Sequence, residues 1–411
     1  MKCGGLHQQE KPRTCPACGS EGVFDVELDY ARIEKEFSAR ALRERGGTLW
    51  RYRELLPVGR DLPVPHLPVG WTPILRAPGL ARSVGIADLF LKDEGRNPTG
   101  SLKDRGSAIA VVRAREEGTA TVACASTGNA ASSLAGFAAA AGLKSVLFVP
   151  ATISESKLAQ LLVYGATVFR VKGTYEAAYD LCEEACERFG WYDRNSAVNP
   201  FLVEGEKTVG LEIAERLGDE IPDWVAVPVG DGSTIAATWK GLSEGKRFGL
   251  VKRLPKLLGV QAEGASPIVQ AFEFGKEVVP AASARSVADS IAVAAPRDWR
   301  KALRAVKDSG GAMISVSDVG ILVALRDTAQ AEGVFAEPAA AATVAGLREA
   351  VENGIVSKTA TALAILTGTG LKDVRPVLRA VGDPIDVDPK IDAVAAALEE
   401  AAPASRANAK H

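Results

Sequence analysis

Aromatic residues make up only 6% of the 411-residue chain, cysteines number six, and neither sign of charge dominates, with 49 Lys and Arg against 51 Asp and Glu. Each shortage excludes something. A formal net charge of −2 provides no basic excess of the kind that a nucleic-acid partner requires. No apolar run reaches a bilayer-spanning length, and the opening Met1-Lys2-Cys3-Gly4-Gly5 lacks the apolar core of a secretory leader. These features predict a soluble, cytoplasmic protein with no membrane partner. Six cysteines in a chain this long do not build a disulfide framework. Cys124, Cys182 and Cys186 fall in apolar or helical surroundings and read as reduced core residues. No repeat of short fixed period is present. Scarce aromatics, set beside abundant alanine and 40 glycines, suit helices packed closely on a sheet.

What is present is an alternation. Apolar runs at 89–91, 120–125, 145–149, 166–171, 224–229, 257–261 and 361–366 read as strands. Alanine-rich helices are predicted between them, at 130–141, 157–164, 175–189 and 208–217. Strand, helix, strand at this spacing predicts a mainly parallel, doubly wound α/β sheet. Residues 119–200 hold their own strand–helix set. They are expected to form a small mobile domain inserted into a large one made of 31–118 and 201–385. Residues 31–45 read as a charged helix, followed by a proline-rich wrap to 68. A C-terminal helix and tail occupy 386–411, with a polar, disordered end from 401. Residues 1–30 form a separate ribbon-like extension. In it, Cys3 and His7 precede Cys15-Pro-Ala-Cys18-Gly, a turn whose two thiolates suit zinc, with 22–27 as a short strand. The alternative is a ribbon that has lost its metal.

Four stretches carry chemistry. The first runs from the strand at 89–91 through Asn97-Pro98-Thr99-Gly100 into a helix for which Ser101 is the expected N-cap. Lys103 then lies in the first turn. The helix dipole disfavours a cation there and lowers the cost of the neutral amine that attacks carbonyls. A Schiff-base lysine is one reading; a solvated lysine paired with Asp104 is the other. The second stretch, Ser126-Thr127-Gly128-Asn129, joins a strand to a helix start, where backbone N–H groups make an anion site. The third is Gly230-Asp231-Gly232-Ser233-Thr234. Its glycines let the backbone approach a phosphate that Ser233 and Thr234 can bond, while Asp231 is expected to point away or cap the next helix. The third glycine of a dinucleotide loop is missing. The fourth is Thr367-Gly368-Thr369-Gly370, with a neutral hydroxyl at Thr367. All four lie at carboxyl ends of predicted strands, which line one crevice in an open α/β sheet. Together they match pyridoxal 5′-phosphate: its aldehyde on Lys103, its phosphate on Gly230–Thr234, its 3′-oxygen on Asn129.

The pieces Asn97-Pro98-Thr99-Gly100-Ser101-Leu102-Lys103-Asp104-Arg105-Gly106, Ala125-Ser126-Thr127-Gly128-Asn129, Pro228-Val229-Gly230, Glu337-Pro338-Ala339-Ala340-Ala341 and Thr367-Gly368 with Gly370-Leu371-Lys372-Asp373 occur in this order over about 300 residues. In this the chain resembles the fold-type II (tryptophan synthase β-like) pyridoxal-phosphate enzymes, and among them the threonine synthase family. The resemblance implies two doubly wound domains, a homodimer, and Lys103 as Schiff-base and general acid/base residue. It also implies Asn129 on the 3′-oxygen, Gly230 to Thr234 on the phosphate, Thr367 on the pyridine nitrogen, and Ser126 and Thr127 on the substrate carboxylate. The reaction implied is conversion of O-phospho-L-homoserine and water to L-threonine and phosphate. The chain departs from the family pattern at Leu102, Asp231 and Thr369. It also departs at Phe201-Leu202, where many relatives carry an arginine for the substrate's phosphate. Loss of a charge-assisted bond there costs on the order of 1.5–3 kcal/mol. Lys207, Arg194, Asn195 or Ser196 could substitute. The departure leaves room for a related lyase or synthase acting by β-elimination or β-replacement, of the serine/threonine ammonia-lyase or cysteate-synthase kind. A ligand-binding protein without catalysis is the remaining alternative.

Overall fold

The computed structural model describes residues 2–7, 14–126, 128–151, 153, 155–173 and 175–406. These form two sheets. The larger has six strands in the order β1-β2-β10-β7-β8-β9, with β1 Ile74–Arg76, β2 Asp88–Asp93, β7 Trp224–Pro228, β8 Lys256–Ala262, β9 Ala312–Val316 and β10 Thr361–Leu366. The smaller has four in the order β5-β4-β3-β6, with β3 Thr121–Ala125, β4 Lys144–Pro150, β5 Thr167–Val171 and β6 Tyr192–Asp193. Every pairing is parallel except that of the edge strand β1 with β2. Parallel strands need crossovers, so helices cover both faces and the strands are apolar on both sides. Side-chain alternation divides the large sheet's core: Trp224, Ala226, Ala362 and Ala364 face one layer, whereas Val225, Val227, Leu363 and Ile365 face the other.

The register brings three carboxyl ends side by side. β10 lies between β2 and β7, with Leu366 opposite Asp93 and Ala364 opposite Ala226. The loops leaving β2 and β10 are then joined: Leu102 N–H donates to Thr367 O at 2.8 Å, and Thr369 N–H to Gly100 O at 3.1 Å. Glu337 N–H donates to Gly368 O at 2.9 Å. Lys103, Thr367 and Glu337 are therefore tied together by backbone, whatever their side chains do.

Several expectations need correction. Residues 22–27, expected as a short strand, are not in strand conformation. The helix expected at 31–45 is shorter, Tyr30–Glu36, followed by a separate turn at Ala41–Glu44. β1, β6 and β9 were not expected: the first two are three and two residues long, and Ser315 interrupts the apolar pattern of the third. Helix Ile391–Arg406 continues through the stretch expected to be disordered from 401; residues 407–411 lie outside the described residues. Helix Lys103–Glu116 has Leu102 as its N-cap and not Ser101, which is held in a bridge to Gly368. Among the described residues no helix is long and apolar enough to cross a membrane. All six cysteines are free, and Cys124, Cys182 and Cys186 are buried.

Candidate active site

Lys103 is positioned by a clamp on the turn before it. Asp104 is fully buried and does not pair with Lys103. It accepts from Thr99 N–H at 2.6 Å and from the Thr99 hydroxyl at 2.5 Å, closing the Asn-Pro-Thr-Gly turn. Behind it lies a dry ionic cluster. Arg105 bonds both oxygens of Glu94 at 2.7 Å and reaches Glu212 Oε1 at 2.5 Å and Oε2 at 2.8 Å. Lys92 adds a 2.6 Å bond to Glu212 Oε2, and none of the four side chains is exposed. Arg105 and Lys92 outweigh the burial that opposes ionisation, and the Glu212 carboxyl is held down at about 2. The cluster fixes the start of the Lys103 helix on the large sheet.

The Lys103 ammonium leaves that helix towards the phosphate loop. It donates to Glu206 Oε1 at 2.7 Å and to Thr234 Oγ1 at 3.4 Å. Glu206 is almost wholly buried, and its Oε2 accepts from Ser233 Oγ at 3.3 Å and Thr234 Oγ1 at 3.2 Å. This closeness depends on Gly205. A Cβ there would overlap the carbonyl of Arg105, so glycine alone lets helix Phe201–Glu206 lie against the Lys103 helix. Gly232 has φ +104° and precedes helix Ser233–Arg247, whose start has no side-chain cap. Its N–H groups are open to an acceptor. Asp231 does point away, accepting from Arg297 N–H at 2.6 Å. Burial, with Asp298 next, pushes its carboxyl up to about 6.

On the other side, Asn129 Nδ2 donates to both oxygens of Glu337, at 3.0 and 2.9 Å, and the Thr367 hydroxyl donates to Glu337 Oε1 at 3.3 Å. Burial raises the Glu337 carboxyl above the usual range. Ser126 Oγ accepts from Gly128 N–H at 3.2 Å, and helix Asn129–Ala141 also starts without a side-chain cap. Thr127 lies outside the described residues. Lys372 reaches across to Ser132 Oγ at 2.8 Å.

Lys103, Ser233 and Thr234 are thus gathered at one point, Asn129 and Thr367 at another, and backbone bonds join the two. Lys207 is not with them. Its ammonium is fully buried between Glu204 at 2.7 Å and Glu244 at 2.8 Å, so its charge is already spent within the core. The expectation that it binds substrate does not fit this placement. Phe201 lies under the guanidinium of Arg113, and Leu202 is packed in the core. Glu206 and Glu337 were not singled out from the sequence as site residues. The glycine before Glu206 and the proline after Glu337, both at helix ends, were the available signals.

In the extension, Cys3 Sγ lies 3.7 Å from Cys15 Sγ, and Cys15 Sγ 3.5 Å from His7 Nε2. The three ligand atoms all fall within 4.8 Å of one another.

The residues fit pyridoxal phosphate. An ammonium and two hydroxyls already converge on one carboxylate beside an uncapped helix start, which makes a receptor for an anion. A separate amide and a neutral hydroxyl converge on the Glu337 carboxylate. Comparison with known proteins agrees. Residues 66–368 match the family model described as pyridoxal-phosphate dependent enzyme. Threonine synthase of Methanocaldococcus jannaschii is 39% identical over 402 residues, covering 97% of this chain and 98% of that one. Threonine synthase of Methanosarcina acetivorans is 40% identical, covering 97% of each. Among solved structures, a threonine deaminase from Solanum lycopersicum superposes with a TM-score of 0.66 at 21% identity, covering 88% of this chain and 96% of that one. A fungal L-serine ammonia-lyase from Rhizomucor miehei gives 0.67 at 21% identity, covering 75% and 96%. At that identity the structures speak for the fold, and the two near-full-length relatives for the lineage: the chain belongs to the pyridoxal-phosphate dependent enzyme family.

Proposed function

We infer that the protein is a lyase that converts O-phospho-L-homoserine and water to L-threonine and phosphate. The observation that carries this is Lys103, held at the cleft by Glu206 and Thr234 in a chain that is similar to threonine synthases along nearly its whole length. Lys103 would hold the cofactor's aldehyde, the Gly230–Thr234 loop its phosphate, Asn129 its 3′-oxygen and Thr367 its ring nitrogen. When bound, the cofactor supplies a sink for the electron pair left at Cα.

The chain's own groups do the rest. Ser126 and the open start of helix Asn129–Ala141 orient the substrate carboxylate. The freed amine of Lys103 takes the proton from Cα and moves protons at the neighbouring carbons, while phosphate leaves from Cγ and water adds at Cβ. The Glu206 carboxylate, 2.7 Å away, receives the ammonium each time it forms and keeps it over the reacting carbons. A phosphate that takes the Ser233 and Thr234 hydroxyls displaces the carboxylate from them. Residues 119–200, with a sheet of their own, are proposed as the part that closes to exclude water from the steps that must stay dry.

Three finer readings belong here. The extension holds one zinc ion through Cys3, His7, Cys15 and Cys18. The 3.7 Å sulfur separation is close to the edge of a tetrahedron with Zn–S of about 2.3 Å. Metal analysis of the purified protein tests this, and less than one zinc per several chains refutes it. The protein is a homodimer, for which exposed Leu371, Leu378, Ile385 and Leu398 offer apolar surface; light scattering tests it. It works in the cytoplasm, where Cys124, Cys182 and Cys186 stay reduced.

The reaction is tested with cofactor-loaded protein. Phosphate and threonine are quantified from O-phospho-L-homoserine, with phosphoserine, serine and threonine in parallel. Equal release of both products supports the reading. A keto acid or replacement product from the parallel substrates, and none from phosphohomoserine, would sink it in favour of β-elimination or β-replacement.

A further inference from the structure

Arg194, a buried cation beside Lys103, makes no ion pair among the described residues. Arg194 is 1% exposed. Its backbone N–H donates to Ala123 O at 2.8 Å, which places it just past β6 and beside β3. Its side chain crosses to the first turn of the Lys103 helix. There Nε donates to Ser107 Oγ at 3.2 Å, and Nη2 lies 3.5 Å from the carbonyl oxygen of Lys103. The other buried arginines are paired: Arg51 with Glu215, and Arg105 with Glu94 and Glu212. Among the described residues no carboxylate is within ion-pair reach of Arg194. Asp193 is its neighbour in sequence, but its Oδ1 accepts from Asn195 N–H at 2.7 Å, and burial pushes its carboxyl up to about 7. It is an incomplete counter-ion at neutral pH.

A guanidinium cannot shed its charge by losing a proton, and burying it unpaired is costly. Two of the other cations nearby are already paired. Lys207 is neutralised by Glu204 and Glu244, and Lys157 pairs with Asp289. Lys372 donates to Ser132 Oγ and Gln160 Oε1, both neutral, and is therefore the rival cation that the test below includes. The substrate brings two anions, and its carboxylate has the Ser126 loop. We propose that Arg194 binds the substrate's phosphate, serving as the specificity-determining residue for a phosphorylated amino acid. This rests on the reading of the reaction given above, which the following experiment can separate from it.

Inorganic phosphate is titrated calorimetrically into the cofactor-loaded full chain, as wild type, Arg194→Gln, Arg194→Lys and Lys372→Gln. Loaded protein is used so that the cofactor's own phosphate site is filled. Arg194→Gln should weaken phosphate roughly 10- to 100-fold and raise KM for O-phospho-L-homoserine by a similar factor, with a smaller fall in kcat. Arg194→Lys, which keeps the charge and loses the fork, should fall between; if Arg194→Gln does not fold, it carries the test. L-Threonine, which has the carboxylate and no phosphate, should bind wild type and Arg194→Gln alike. Phosphate affinity within twofold of wild type in Arg194→Gln overturns the proposal. So does a loss that follows Lys372→Gln instead, or an equal loss for L-threonine, which would assign Arg194 to the carboxylate. If the wild type binds phosphate through Arg194 yet turns over no phosphohomoserine, the anion site stands and the proposed reaction falls.

Discussion

Arg105→Ala is the perturbation that most directly tests how Lys103 is placed. Arg105 makes four bonds to carboxylate oxygens and a fifth to the Thr208 hydroxyl at 2.8 Å. With Lys92 it balances Glu94 and Glu212 in a cluster that excludes water. Truncation leaves two buried carboxylates sharing one ammonium. Breaking a buried pair in this way costs about 3–5 kcal/mol, a large share of the 5–15 kcal/mol that folded domains typically hold. The stranded carboxylates escape part of this cost by taking up a proton. The signature is therefore in the pH dependence. In the wild type the Glu212 carboxyl is depressed to about 2, so its contribution is present above its ordinary pKa of 4.5 and lost only as pH falls through about 2. In the variant the carboxyls shift upward, and stability recovers as pH falls from 7 to 5. Urea unfolding at both pH values, followed by circular dichroism, measures the gap. Cofactor uptake, followed by the visible band, reports whether the Lys103 helix start has moved, and it should weaken in parallel. Arg105→Lys should recover only part of the loss, since one ammonium cannot fork to two carboxylates. A loss below about 1 kcal/mol, or a gap that does not narrow with acid, would refute the view that this cluster is a charge-balanced support for the site.

Three further outcomes are expected. Lys103→Ala should abolish both the visible band formed with cofactor and all release of phosphate, with little change in unfolding; a variant that keeps the band would displace Lys103 from its role. Glu206→Gln removes a negative charge from the donors that the cofactor's phosphate needs, so cofactor should bind more tightly while turnover falls by about 10-fold or more, and a spectral titration that shows weaker binding would contradict this. Asp193 has its carboxyl raised from 3.8 to about 7 by burial, so its contribution to stability is full below its ordinary pKa and lost as pH rises through about 7. Asp193→Asn keeps the acceptor for Asn195 N–H and cannot ionise. It should exceed wild type by more at pH 8 than at pH 5 in urea unfolding, the gap widening by about 2–3 kcal/mol, and equal gaps at the two pH values would argue against a buried, ionising Asp193.

Much of this molecule was legible from the chain alone, because the relevant information is local. A run such as Trp224–Pro228 is apolar on both faces, and that already implies a parallel strand covered on both sides. The glycines at 230 and 232 and the hydroxyls at 233 and 234 follow such a strand, and an uncapped helix start is what that order yields. Lys103 was recognisable because a lysine in a first helical turn needs a reason to be there. Segments with weak local signals were misread: β6 has two residues, and residues 22–27 have strand-like composition but form no strand.

Which charges meet was settled only in three dimensions. Glu206 is 103 residues from Lys103, and Glu337 is 208 residues from Asn129. Nothing in their flanking residues says that one receives the lysine's ammonium or that the other bridges the amide to Thr367. Lys207 and Arg194 make the same point in opposite directions. In sequence both are cations near the Phe201-Leu202 gap and look interchangeable. In the fold Lys207 is enclosed by Glu204 and Glu244, whereas Arg194 reaches the Lys103 helix and makes no ion pair among the described residues. Strand and helix follow from periodicity along the chain, but whether a buried charge is compensated depends on which distant groups the packing brings within about 4 Å, where Coulomb energies in a dry interior are largest.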